Sequence, residues 1–268
     1  MKVRIDEALC QGHALCSFSA PEVFRLRDED GHAELTGAPW TPELEDKARR
    51  AAGRSLVALG NPERGVLERL PFAEAEVQSL RRAFPDAVVL TGRDATRARL
   101  LAVAPTAHVL HFAAHAEFDV QDPLGSAILL APEGADDGRL EVQEIYGLTL
   151  ASSLVVVSAC ETALGQVSAG DEVIGLTRAF IYAGAPTVVT TLWKVDDRAS
   201  FRLMDAFYRA LAAGASKAQA LRRAQLTVMR DAPPPFFWAA YQLTGETESP
   251  LPTVSAAAAP LALACAAR

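Results

Sequence analysis

The run Leu154-Val-Val-Val-Ser-Ala-Cys160-Glu-Thr-Ala-Leu-Gly165 decides how the chain is read. Aliphatic and β-branched residues favour a pleated, buried surface, and an unbroken run of them fits a strand covered on both faces. The run stops at Cys160 and a glycine-containing turn. In an open α/β sheet such a strand delivers its last side chain to the carboxyl edge, where ligands bind and chemistry is done. Taken alone, Cys160 is one more small buried residue. A second strand upstream changes that reading. Val109-Leu-His-Phe-Ala-Ala-His115 also ends in a titratable side chain. A cysteine nucleophile and its base must meet in space and not in sequence, and two hydrophobic strands ending in His115 and Cys160 supply that arrangement.

The surrounding pattern alternates. Leu56-Val-Ala-Leu-Gly60 reads as a first strand closed by the Gly60-Asn-Pro turn. Residues 74–84 carry leucine, valine and phenylalanine at helical spacing, with Pro85 just past the end. Val88-Val-Leu90 is a second strand, and a helix with Asp94 as N-cap runs to about Val103. Beyond the histidine strand, 126–130 reads as a strand and 140–146 as a short strand or helical piece. After the cysteine strand come a helix to Ala183, a strand over 187–192, helices over 196–213 and 216–230, and a short aromatic strand over 238–243. Such alternation predicts an α/β fold, with a mainly parallel sheet and helices on both faces.

The chain has 268 residues, half of them apolar, which suits one domain of ordinary size plus something small. Net charge is −7 with no run of lysine and arginine, so nucleic acid is not an expected partner, because phosphate binding needs a clustered basic footprint. The start, MKVRIDEALCQGHALC, has acids where a secretory signal needs an apolar stretch, and no segment reaches the roughly 18–20 apolar residues of a membrane span. A cytoplasmic protein without membrane partners is expected. Cysteines at 10, 16, 160 and 265 do not form a disulfide framework; a reduced compartment suits a free nucleophilic thiol.

The segments LHFAAHAEFD (110–119), DPLGSAILLAP (122–132), LVVVSACETALG (154–165), GDEVIGLTRAFIYAGAPTVVTTLWKVDD (170–197) and FFWAAYQLTG (236–245) closely resemble the CHAT family, a branch of the caspase-like cysteine peptidases that includes separases. The resemblance implies a caspase-like fold and a Cys–His dyad, with Cys160 as nucleophile and His115 as base or imidazolium partner. It implies an oxyanion site made by the backbone N–H groups of Cys160 and Ala116; most relatives have glycine at the position of Ala116, so that N–H is kept without glycine's backbone freedom. It further implies that the loop after the 187–192 strand lines the pocket for the residue preceding the scissile bond. Trp193, Asp196 and Asp171 are the pocket candidates, and an acid there would favour a basic side chain. Acids at helix starts also serve as caps. His111, inside its strand, reads as a hydrogen-bonded support. The dyad needs no cofactor.

At the amino end, Cys10-Gln-Gly-His13-Ala-Leu-Cys16 suggests a metal site, yet a closed site takes about four ligands. This stretch resembles small bacterial ferredoxins that hold a three-iron, four-sulfur cluster, in which Cys10 and Cys16 would match two metal ligands. The remaining ligand of that family is a cysteine followed by proline, after a helix like Pro42–Ala51; here the chain continues Ala52-Gly-Arg-Ser-Leu-Val. A stable iron–sulfur cluster is therefore not expected. The predicted division is a truncated, small α+β ferredoxin-like segment over 1–53, a CHAT-like domain over 54–246 and a disordered Ala/Pro-rich tail over 247–268. The expected function is a cysteine endopeptidase cleaving a protein or peptide after a basic residue. The alternatives are an inactive CHAT module that binds a regulatory protein partner and, third, an iron–sulfur electron carrier.

Overall fold

The structure is a computed structural model. It describes residues 3–5, 17, 20–30, 32–39, 41, 43–44, 56–65, 69–119, 121–150, 152–161, 171–251 and 261–263, with the backbone alone at 3–4, 106, 159–161, 171–174 and 261–263. The strands are β1 (Val3–Ile5), β2 (Phe24–Leu26), β3 (Ala33–Leu35), β4 (Leu56–Pro62), β5 (Val88–Gly92), β6 (Val109–Glu117), β7 (Ala127–Leu129), β8 (Arg139–Glu141), β9 (Leu154–Glu161), β10 (Thr187–Thr191), β11 (Tyr241–Gly245) and β12 (Leu261–Leu263). The helices are α1 (Pro71–Ser79), α2 (Arg97–Val103), α3 (Val142–Tyr146), α4 (Asp171–Tyr182), α5 (Asp197–Ala212) and α6 (Lys217–Asp231).

Eight strands form one sheet in the order β5-β4-β6-β9-β10-β11, with β7 added beside β6 and β8 beside β7. The four pairings from β5 across to β10 are parallel, and β11 runs antiparallel to β10. This is the predicted α/β architecture. Parallel neighbours need crossovers, and α1, α2 and α4 provide them after β4, β5 and β9.

Each central strand feeds two cores, because successive side chains alternate faces. Val109, Ala113, Leu154, Val156 and Val189 pack with α1, α5 and α6 through residues such as Val77, Leu203 and Leu221. Leu110, Phe112, Val155, Val157 and Val188 pack on the other side with Leu100, Ile145 and Phe180. Burial on both faces explains why these strands read as continuous apolar runs. At the end of β4, a Cβ on Gly60 would lie 2.5 Å from Val77 Cγ2 and 2.9 Å from the Ala73 carbonyl oxygen. Only glycine lets α1 pack that close. Asn61 then ties the turn to the same helix start: its Oδ1 accepts from the Leu70 N–H at 2.8 Å, and its amide donates to Glu74 at 3.1 Å.

Four details differ from the sequence expectation. The cap of α2 is Thr96, whose hydroxyl accepts from the Arg99 N–H at 3.3 Å, and not Asp94, which pairs with Arg99 through its side chain. Residues 139–146 form both a strand and a helix, since Glu141 and Glu144 build a reciprocal capping box between them. The last strand of the sheet begins at Tyr241; the prolines before it set a 3-10 turn over Pro235–Phe237, and the Trp238 indole bonds back to the Pro233 carbonyl at 3.0 Å. Within the expected disordered tail, β12 pairs in parallel with β1, Val3 opposite Leu261, and Leu251 is buried. The alternating Leu-Ala-Leu of β12 can ladder where the surrounding Ala/Pro composition suggests nothing. Among the described residues, no helix is long and apolar enough to cross a membrane.

Candidate active site

β6 and β9 bring the two predicted catalytic positions together. Their parallel ladder runs from Val109↔Leu154 to Ala116↔Glu161, and within it His115 and Cys160 are direct partners. Adjacent strands lie about 4.8 Å apart, so the two positions are cross-strand neighbours at the carboxyl edge. His115 continues the series Val109, Ala113 and position 160 the series Leu154, Val156, both of which face the α1/α5/α6 layer. The His115 side chain is partly buried; that of Cys160 lies outside what is described. On the other flank of β6, β7 pairs His115 with Leu129 and Ala116 with Ile128. Ala116 is thus laddered on both sides. Two residues before Cys160, the Ser158 hydroxyl meets the Tyr241 hydroxyl at 2.8 Å, anchoring β9 across β10 to β11.

Two repeats of the pleat deeper, His111 has a different environment. Its Nε2 lies 2.8 Å from Glu76 Oε1 and its Nδ1 2.9 Å from the Tyr208 hydroxyl, and all three residues are buried. The cluster joins α1, β6 and α5. Burial holds the Glu76 carboxyl above the usual carboxylate range, against the hydrogen bond from His111, and raises the Tyr208 phenol well above its ordinary value. Buried charge is costly unless paired, so the cluster is a satisfied part of the core. His108, at the foot of the strand, is buried as well, which pulls its imidazole down to about 4 and keeps it neutral near pH 7. Of these three histidines on or beside β6, only His115 stands at the edge.

The loop after β10 carries the pocket candidates. Trp193 is 37 % exposed and its indole N–H donates to the Phe236 carbonyl at 3.1 Å. Asp196 is the N-cap of α5, with Oδ1 accepting from the Ala199 N–H at 2.8 Å. Asp197 reaches to α1 and accepts from the Phe72 N–H at 3.0 Å. Partial burial raises the Asp197 carboxyl; the N–H groups of Phe72 and Ala73 oppose that rise, Asp196 adds to it and His115 counters it. Asp171 is the first residue of α4, and its side chain lies outside what is described. The structure thus gives Asp196 the capping role that its position also allowed. An exposed carboxylate offers an incoming cation only about 0–1 kcal/mol.

Sequence reading misses Glu76 and Tyr208. Glu76 and Tyr208 sit on amphipathic helices 35 residues before and 97 after their partner His111. The one available signal is an acid on a core-facing helical position, since Glu76 is spaced with Ala73 and Val77.

A parallel α/β sheet that pairs a histidine and a cysteine at its carboxyl edge has the architecture of a cysteine-peptidase-like domain. Residues 31–246 match the CHAT domain model, and the chain belongs to that family. Residues 3–54 match the 4Fe-4S single cluster domain. Tetratricopeptide repeat protein 28 of Mus musculus is 30% identical over 237 residues, covering 70% of this chain and 9% of that protein; the chain therefore spans a small fraction of this curated relative. Ferredoxin-2 of Streptomyces griseolus is 36% identical over 52 residues, 19% of this chain and 81% of that protein. Among solved structures, the Saccharomyces cerevisiae separase–securin complex is similar at a TM-score of 0.48 and 15% identity, over 74% of this chain and 12% of that one. At that score the likeness adds no weight to what the sheet order already establishes.

The amino-terminal match implies an iron–sulfur cluster. Residues 3–54 contain two cysteines, Cys10 and Cys16, and two histidines, His13 and His32, where such clusters take three or four thiolates or histidines in place of some. Both cysteines lie outside the described residues. Among the described residues, no group of three or more histidines, cysteines, aspartates or glutamates is placed to hold a metal ion. What is described there is a hairpin of β2 and β3, with Phe24 opposite Leu35 and the Phe24 ring fully buried.

Proposed function

We propose that this chain is a cysteine endopeptidase that hydrolyses peptide bonds of a protein or peptide substrate through a Cys160–His115 dyad. The observation that carries the reading is the register that makes these two positions partners at the sheet's carboxyl edge. An imidazole beside the thiol lowers the thiol pKa and raises the thiolate fraction. The thiolate attacks the scissile carbonyl, the C–N bond breaks as His115 gives its proton to the leaving amine, and water then hydrolyses the thioester with His115 as base. Backbone N–H groups of Cys160 and Ala116 would hold the oxyanion. We assign the chemistry to a domain over residues 54–246, flanked by the ferredoxin-like segment 1–53 and the tail 247–268. A reduced compartment such as the cytoplasm suits the free thiol. A preference for a basic residue would draw on Asp171 or Asp196, the second of which already caps a helix.

A second reading has a specific observation behind it. Ala116 is paired to Ile128 on one flank and to Glu161 on the other, so the strand ladder competes with an oxyanion for its N–H. A CHAT module closed in this way binds a regulatory protein partner and cleaves nothing until the end of β9 separates from β6. A peptide-library cleavage assay on the wild type and on Cys160→Ala tests both. Turnover that disappears in Cys160→Ala supports the peptidase. No turnover, together with failure of Cys160 to react with iodoacetamide at pH 6, leaves the binding module.

A further inference from the structure

The loop after β10 leaves the sheet beside the strand of the nucleophile. β9 and β10 pair up to Val157 and Thr190, and β10 ends at Thr191, two residues before Trp193. β6, with His115, lies on the other flank of β9. Trp193 therefore follows the carboxyl end of β10, on the flank of β9 opposite His115. It is not alone there. Leu192 is 44% exposed and Phe236 50% exposed, and the Trp193 indole is tied to Phe236 by its N–H. At the far end of the same loop, Asp197 holds the Phe72 backbone, and the exposed Phe72 ring lies 6.4 Å from that of Phe201. Large apolar side chains scattered singly on a surface mean little, but several gathered beside a site mark a binding surface.

The charges of the loop do not favour a cation. Asp196 and Asp197 each spend a carboxylate oxygen on the N-terminus of a helix. Lys194, between Trp193 and these acids, is exposed and repels a basic side chain. We infer that the substrate side chain seated beside the scissile bond is aromatic or long and aliphatic, packed against Trp193 and Phe236, and that a basic side chain is the poorer fit. The inference rests on the peptidase reading for the scissile bond, while the apolar seat itself does not depend on turnover.

Binding to the Cys160→Ala variant, which cannot form a thioester, is the test. Fluorescein-labelled peptides identical except for one residue, Phe, Met, Arg or Asp, are titrated by anisotropy. The Phe and Met peptides should bind at least tenfold tighter than the Arg peptide, about 1.4 kcal/mol. That margin should persist at high salt, because it is not electrostatic. Trp193→Ala in the same background should erase the margin, and Trp193→Phe, which keeps a ring without the indole N–H, should retain most of it. Tighter binding of the Arg peptide, or affinities that do not depend on the varied residue, overturns the inference. A wild type that cuts none of the four peptides while Cys160→Ala still selects Phe and Met refutes the peptidase reading and upholds the apolar seat.

Discussion

His111 and His115 stand four residues apart on one strand and on one face, yet the fold uses them differently. His111 is fully buried, and both its ring nitrogens meet partners, Glu76 from α1 and Tyr208 from α5. His115 is partly exposed, at the level where β9 presents Cys160. Residue type and spacing alone do not separate them. Depth in the sheet does: inside the layer a polar group must be satisfied by the protein, whereas at the carboxyl edge an imidazole can exchange protons with a ligand. The largest predicted effect follows from that contrast. His115→Ala should lower cleavage by about 10²- to 10⁴-fold, the usual range for a general acid–base group, with the urea midpoint almost unmoved. Should His115→Ala instead unfold the protein with no specific loss of turnover, the two histidines are of one kind and the contrast fails.

The complementary substitution is His111→Ala. It leaves Glu76 in the core without its nearest partner, and removing one member of a buried pair costs about 3–5 kcal/mol. The expected result is a stability loss of about 3 kcal/mol, read from urea denaturation. Iodoacetamide labelling of Cys160 should then be unchanged below the transition. A loss of labelling in a fully folded His111→Ala protein would give the buried histidine a part in the chemistry.

Much of this contrast is legible in the amino-acid order. The runs that form β4, β6, β9 and β10 are unbroken and apolar because the sheet is covered on both faces, and His115 and Cys160 stand out as the titratable ends of two of them. The partners of His111 are not legible. Glu76 lies on an ordinary amphipathic helix and Tyr208 on another, and nothing local records that both turn inward to one imidazole. The cap of α2 is ambiguous in sequence because Asp94 and Thr96 are both good N-cap residues. The β12 pairing with β1 depends on a strand at the opposite end of the sequence, which composition cannot reveal.

The Glu76 carboxyl gives the buried member of the comparison a pH signature. Burial raises its pKa in the folded state above 4.5. A raised folded value contributes stability that is present below about pH 4.5 and is lost as pH rises through the folded pKa. Glu76→Gln keeps an acceptor for His111 and removes the titration. Relative to the wild type it should therefore gain stability between pH 4 and pH 8, measured as the difference in thermal midpoints across that range. Parallel profiles for the two proteins would mean that Glu76 keeps one charge state in both the folded and unfolded chain.

The smallest predicted effect sharpens the same division at the edge itself, where Asp196 could serve either a substrate or a helix. Its Oδ1 accepts from the Ala199 N–H at 2.8 Å, which is the geometry of an N-cap. Asparagine caps about as well as aspartate, whereas alanine gives up roughly 1 kcal/mol. A capping role thus predicts that Asp196→Asn changes stability by a few tenths of a kcal/mol at most and that Asp196→Ala loses about 1 kcal/mol. Both variants should cut arginine- and phenylalanine-containing peptides in the wild-type ratio, because neither touches Trp193 or Phe236. A carboxylate that recognises a basic side chain predicts the reverse. Asp196→Asn would then lower cleavage after arginine about tenfold at unchanged stability, the size of one lost charge-assisted hydrogen bond, and Asp196 would join His115 among the residues that the edge reserves for chemistry.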